Sequence, residues 1–271
     1  MMYPPLTDMA SEPVIRAIEE NAAEFLLALG RAAGSEERND SSIQWTIGGS
    51  PIDYHNCVVR ANLTPETADQ AIQAVLARLR AYNVPGSWHL GPAMRPADLG
   101  PRLLAHGFSY AGPEPGMAIN LSELDQAARP AGVTIERVMD SQALVMWVDT
   151  LGQGFGEGPR EAGWVGAMYA RIGLGDATPW RHYLAYSNGM PVATASLFLG
   201  AGVAGIYFVF TIDFARRRGI GAAITAAALR DARELGYRIG VLGASDMGYG
   251  VYRRLGFREY CTIDIYEWRP H

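Results

Sequence analysis

Apolar positions recur at helical spacing over residues 12–30 (EPVIRAIEENAAEFLLALG), and Gly30 is placed to stop that helix. The polar stretch GRAAGSEERNDSS reads as a loop. IQWTIGG and NCVVRANL read as short strands. LTPETADQAIQAVLARLRAY then predicts a well-marked helix. Thr64 can cap it, Pro65 suits its first turn, and Glu66 favours the positive end of its dipole. SWHLGP predicts a strand, ADLGPRLLAHGF a short helix, GMAINLSEL a strand, and ARPAG (128–132) a linker.

A second series follows. VTIERV predicts a strand, SQALVMWVDTLG a helix, GQGFGEGP a glycine-rich loop and REAGWVGAMYARIGLG a helix. WRHYLAYSNGMPVATASLFLG predicts a hairpin turning at Asn188-Gly189. AGIYFVFTID is a strongly apolar strand, followed by a long helix, the strand YRIGVLG, the helix SDMGYGVYRRLG and the strand EYCTIDIYEW. This alternation argues for α/β with parallel pairing. LLAHGF (103–108) and YRRLGF (252–257) both end a short helix on Gly-Phe before a strand. The echo points to a repeated domain; coincidence is the rival explanation, since Gly is common at helix ends.

Composition narrows the class. A chain of 271 residues with 49% apolar and 19% charged residues fits two compact domains. A net charge of −5 provides no overall basic field for nucleic acid or an anionic membrane. Cys57 and Cys261 lie far apart without metal-type spacing, so two buried free thiols in a reducing compartment are expected. MMYPPLTDMASEPV lacks the pattern of a signal peptide, and the longest apolar run, 200–212, is too short to span a bilayer. A soluble, cytoplasmic protein is the expectation.

The candidate chemistry sits in FARRRGIG (214–221), between an apolar strand and an alanine-rich helix. A helix start offers unpartnered N–H groups and a partial positive charge, glycines allow close approach, and arginines suit phosphate oxygens. A solvated charge cluster at a helix start is the plainer alternative. The Gly-Lys-Ser/Thr end of a P-loop is absent, and so is the third glycine of the dinucleotide fingerprint. Arg216-Arg217-Arg218-Gly219-Ile220-Gly221 does match R/Q-x-x-G-x-G/A, and Tyr252 follows in YRRLGF after one more strand. In these motifs, in their order, and in GMPVATASL and AGIYFVFTID before them, residues 132–268 resemble the GCN5-related N-acetyltransferase (GNAT) superfamily.

The resemblance implies a mixed, mostly antiparallel α/β sheet flanked by helices, with a splayed parallel strand pair at 205–213 and 238–243. It implies acetyl-CoA in the gap, as acyl donor, with no metal. Val209 and Thr211 would bind the pantetheine arm. Arg217, Arg218, Gly219, Ile220, Gly221 and Ala222 would seat the pyrophosphate through backbone N–H groups, and Arg216 would meet phosphate or brace the loop. A strand N–H of Val209 or Phe210 would hold the oxyanion. Ser245, Tyr249 and Tyr252 share a helix face that would meet the cofactor. Ser245 stands where many members have asparagine, which leaves that contact in doubt. Tyr252 would protonate the departing thiolate, against the alternative of a core tyrosine on Phe257.

Relatives place a glutamate early on the central strand, where this chain reads Ala204-Gly205-Ile206. Glu157, in the region matching the family's acceptor loop, is a candidate base, beside a water chain or a plain exposed acid. His182, Trp164 and Tyr169 are expected to be structural. The loop 152–158 is either a mobile cover or a plain connection, and Trp45, Trp88 and His89 are expected in a core. Residues 1–128 read as a degenerate GNAT-like or accessory α/β domain and 129–271 as the catalytic one. The implied activity is acetyl transfer to a primary amine of a small molecule or peptide. The alternative is a non-catalytic acyl-CoA binding or sensing protein. No nucleic-acid or membrane partner is expected, and the chain would be a monomer (a tandem pseudo-dimer) or a homodimer.

Overall fold

The computed structural model describes residues 4–124 and 130–270; the start of the linker, with the boundary read at 128/129, lies outside them. The chain divides into two compact units, residues 1–21 with 116–260 and residues 22–115 with 261–271.

In the second of these units, β1 (Glu36–Asn39), β2 (Ile43–Ile47), β3 (Cys57–Ala61), β4 (Gly86–Leu90) and the later part of β11 (Arg258–Trp268) are neighbours in that order. All pairs are antiparallel except β3 with β4, which α2 (Pro65–Tyr82) connects. One face of α2 buries Ile72, Val75 and Leu79 against Trp45 and Trp88. Two sequence expectations change here. The polar stretch after Gly30 is partly a strand: β1 is an edge strand, where water can solvate its charges, and Arg31 pairs with Glu37 at 2.7 Å. Gly30 does not end its helix either, because α1 (Ser11–Ala33) runs on to a left-handed Gly34. A side chain at Gly30 would collide with Thr46, so that glycine serves close packing.

In the other unit, β5 (Ser109–Asn120, from Gly116 on), β10 (Ile239–Gly243), β9 (Val203–Thr211), β8 (Met190–Gly200), β7 (Trp180–Ser187) and β6 (Val133–Arg137) are neighbours in that order. Only β9 and β10 run parallel, joined by α6 (Ile220–Glu234). The β7–β8 hairpin turns at Asn188 and Gly189 with φ of 52° and 78°, the left-handed pair of a tight hairpin. α4 (Ser141–Leu151) buries Leu144, Trp147 and Leu151, and α5 (Pro159–Ile172) buries Val165 and Tyr169.

The sheet is therefore mixed and mostly antiparallel, and parallel pairing is confined to one strand pair per unit. The halves repeat: β3–α2–β4–α3 (Leu99–Ala105)–β5 matches β9–α6–β10–α7 (Asp246–Arg254)–β11. Each Gly-Phe has the same cap. Gly107 and Gly256 have φ of 89° and 100°. Phe108 N–H donates to Leu103 C=O at 3.1 Å, and Phe257 N–H to Tyr252 C=O at 3.0 Å. The last strand of each half in sequence completes the other half's set: β5 pairs with β10, and β11 with β4. Cys57 and Cys261 are buried thiols outside any disulfide. No helix among the described residues is long and apolar enough to cross a membrane.

Candidate acyl-CoA site

β9 and β10 pair at only two positions, Ala204 with Gly240 and Gly205 with Val241. Beyond them β9 has no ladder partner on β10 among the described residues, so one strand edge is left open. A bulge bends β9 at the same place. Ser196 opposes Tyr207, yet Thr194 opposes Phe210, one residue too many on β9. Phe208 has φ of 49°, a conformation costing roughly 1–3 kcal/mol for a residue with a side chain. Its carbonyl accepts from Thr194 Oγ1 at 2.9 Å, and its ring packs against Phe155, Trp147 and Tyr169 at 5.4, 6.0 and 6.1 Å. Ile212 N–H donates to Val192 C=O, so the backbone alternation turns the N–H and C=O of Thr211 away from β8, towards the open edge.

The chain then makes a turn at Asp213–Ala215 and enters α6 through Arg217 (φ 60°) and Gly219 (φ 78°), both left-handed. Gly219 is the N-cap and supplies no side-chain acceptor. The first intrahelical bond runs from Ala223 N–H to Gly219 C=O, so Ile220, Gly221 and Ala222 keep N–H groups without helical partners. Arg216 braces this loop: Nε donates to Thr211 C=O at 2.9 Å, Nη2 meets Asp213 at 2.9 Å, and the guanidinium covers Phe210 at 5.6 Å. Arg217 and Arg218 are exposed and pair with no side chain among the described residues. A Cβ on Gly221 would meet only Thr211 Oγ1, at an ordinary 3.5 Å. The protein itself therefore does not require glycine there, whereas an approaching anion would.

On α7, Ser245 is the N-cap and its Oγ accepts from Gly248 N–H at 3.3 Å. Tyr249 turns to Glu259, donating its hydroxyl at 3.0 Å, and that bond raises the phenol pKa. Tyr252 is 8% exposed and packs edge-on against Phe257 at 5.8 Å. The shared helix face thus divides its work: one residue caps, one meets a carboxylate, and only the tyrosine at 252 is buried.

In the 152–158 loop, Glu157 accepts from Arg160 at 2.9 Å, and its N–H donates to Glu161 Oε2 at 2.9 Å. Glu161, buried in the first turn of α5, holds the loop against the helix, and a side chain on Gly156 would collide with it. Sequence reasoning passed over Glu161. Its signal was an acid three residues after Gly158, ahead of an apolar helix. The place of the missing strand glutamate is explained as well. Gly205 lies against Asn21, which accepts from Tyr207 Oη at 2.7 Å and donates to Gly200 C=O at 2.9 Å. His182 is structural: Nδ1 meets Ser196 Oγ at 2.8 Å, Tyr169 packs on its ring, and burial pushes its pKa down to about 3. Among the described residues, no group of three or more His, Cys, Asp or Glu could hold a metal ion.

Residues 146–257 match the sequence model of the Acetyltransferase (GNAT) family. No curated protein matches the chain. Solved structures share its fold. A GCN5-related N-acetyltransferase from Kribbella flavida is 21% identical, with a TM-score of 0.72 over 92% of this chain and 96% of its own. A functionally unknown conserved protein from Staphylococcus epidermidis is 18% identical, with a TM-score of 0.67 over 88% and 95%. A tandem GNAT protein from the clavulanic acid biosynthesis pathway is 14% identical, with a TM-score of 0.57 over 83% and 78%. The open strand pair and its uncapped helix start thus lie within the residues that match the GNAT family model, and the chain as a whole shares the fold of a tandem GNAT protein.

Proposed function

We propose that the protein is an acetyl-CoA-dependent N-acetyltransferase acting on a primary amine of a small molecule or peptide, with residues 129–271 as the catalytic half and 1–128 as the supporting half. The carrying observation is the parting of β9 from β10 beside a helix start that no side chain caps. These groups fit a thioester donor with a pyrophosphate. The N–H groups of Ile220 to Ala222, with Arg217 and Arg218, suit the phosphates. Val209 and Thr211 on the open edge suit the amides of the pantetheine arm. Bound there, acetyl-CoA supplies the activated acyl group.

The protein's own contribution is small. The backbone N–H of Val209, at the bulge, stabilises negative charge developing on the thioester oxygen, whereas Phe210, opposite Thr194, turns its N–H towards β8. Tyr252 Oη gives up a proton as charge leaves on sulfur; a phenol is neutral at pH 7 and can donate at that moment. Glu157, the acid of the 152–158 loop, where it accepts from Arg160, is a candidate to take the amine proton directly or through water. A second reading, an acyl-CoA sensor, draws on Gly205, where the packing of Asn21 leaves no room for a carboxylate.

Tyr252→Phe separates the two. The enzyme reading expects acetyl transfer to an amine panel to fall by roughly 100-fold or more with the acetyl-CoA Kd unchanged. A folded wild type that binds acetyl-CoA yet acetylates none of the panel would favour the sensor.

A further inference from the structure

The repeat places a second splayed pair in the N-terminal half, and this one is filled. β3 and β4 pair only at Cys57 with Ser87 and Val58 with Trp88, as β9 and β10 do at their two positions. β3 also carries one extra residue against β2 just beyond that point. The edge that this leaves is taken by the chain itself. Arg95 N–H donates to Ala61 C=O at 2.9 Å, and Leu63 N–H donates to Arg95 C=O at 3.2 Å, a parallel bridge centred on Asn62.

The partners of Arg95, Ala61 and Leu63, lie three and five residues past the last paired position of β3, and Val209 and Thr211, which face the open edge of β9, lie four and six residues past that of β9. The Arg95 peptide therefore takes the stretch of edge that β9 leaves open at Val209 and Thr211. A longer connection makes this possible: residues 91–98 separate β4 from α3, whereas only Ala244 and Ser245 separate β10 from α7. The segment is well seated. Met94 is buried in the core of its unit, and Arg95 Nη1 donates to the carbonyls of Pro92 and Met94 at 2.9 and 2.7 Å. The anion end is closed too. Pro65 removes one N–H from the first turn of α2, and Thr64 and Thr67 cap each other, with Thr64 N–H donating to Thr67 Oγ1 at 3.0 Å.

We propose that segment 91–96 is a built-in occupant of the N-terminal cleft, and that the protein takes a single acyl-CoA per chain, at α6. The inference rests on the reading of α6 as the CoA seat. The N-terminal half then supplies no second active centre.

Calorimetric titration of the full-length chain with acetyl-CoA tests the count, with hydrogen exchange as an independent readout. One site in the wild type and none in a folded Gly221→Asp variant are expected. The amides of Leu63 and Arg95 should exchange slowly with or without acetyl-CoA, while that of Thr211 slows only when it is added. Two sites, residual binding in Gly221→Asp, or Leu63 and Arg95 amides that slow on adding acetyl-CoA would overturn the proposal. Absence of any binding to folded wild type, with Leu63 and Arg95 already slow, would instead remove α6 as the CoA seat and leave the closed N-terminal cleft supported.

Discussion

α2 and α6 occupy the same place in the two halves and begin in opposite ways. α2 starts on a capping threonine and a proline, and its first turn is satisfied internally. α6 starts on a left-handed glycine with three free N–H groups, after a left-handed arginine and a strained Phe208. A good cap contributes about 1 kcal/mol, and each left-handed residue with a side chain costs a similar amount. One half thus keeps that stability, and the other gives it up to leave an opening. The backbone frame is common to both, so the difference lies in a few residues at each helix start.

Acid should act on both halves together and have the largest effect. Burial holds His182 and His55 at about 3, against an ordinary 6.5. Below 6.5 the unfolded chain binds protons that these imidazoles refuse in the folded state. Stability should be fully present above 6.5 and fall as the pH drops towards 3, by up to about 1.4 kcal/mol per pH unit for each group. Urea titrations at pH 7 and pH 4.5 measure this; equal stability at both would mean that the two histidines are charged in the fold.

The arginines separate the halves. Removing Arg217 and Arg218 together should weaken acetyl-CoA binding by roughly tenfold or more, with the melting temperature unchanged, since charge-assisted contacts to phosphate contribute over 1 kcal/mol each. A Kd that does not move would make the cluster a solvated helix start after all.

The two glycines of α6 should then diverge. Gly221→Ala meets no obstacle in the protein and adds helix propensity, so it should hold or raise stability while weakening acetyl-CoA. Gly219→Ala forces a left-handed alanine and should cost about 1 kcal/mol of stability. Thermal melts paired with titration read both, and an unchanged Kd in Gly221→Ala would show that nothing approaches that backbone. The smallest effect is expected in the closed half. Thr67→Ala should cost about 0.5–1 kcal/mol, measured by denaturant unfolding, and leave acetyl-CoA binding alone. A change in Kd there would contradict the separation of roles.

Much of this was legible along the chain because it is local. Helical spacing marked α2, α4, α5 and α6, Asn188-Gly189 marked its hairpin, and the two Gly-Phe caps announced the repeat. The run Arg216 to Gly221 marked the loop for the same reason: a strand, a turn and a helix start are contiguous in sequence. Other features depend on partners far away. Gly30 has the place of a helix stop along the chain, and only the fold packs Thr46 against it. Asn21 reaches Tyr207 across 186 residues, and no spacing rule connects them. Arg216 carries the same charge as its two neighbours, and only the fold turns it inward to brace Thr211.

The sequence by itself determined most of the elements, their order and the repeat, because propensity, caps and turn chemistry act over a few residues; edge strand β1, polar throughout, was not among them. Tertiary structure alone decided which strand completes which unit, where β9 bulges, and which of two similar clefts stays open. Those outcomes turn on backbone hydrogen bonds, such as those of Arg95 to Ala61 and Leu63, in which side-chain identity has little say.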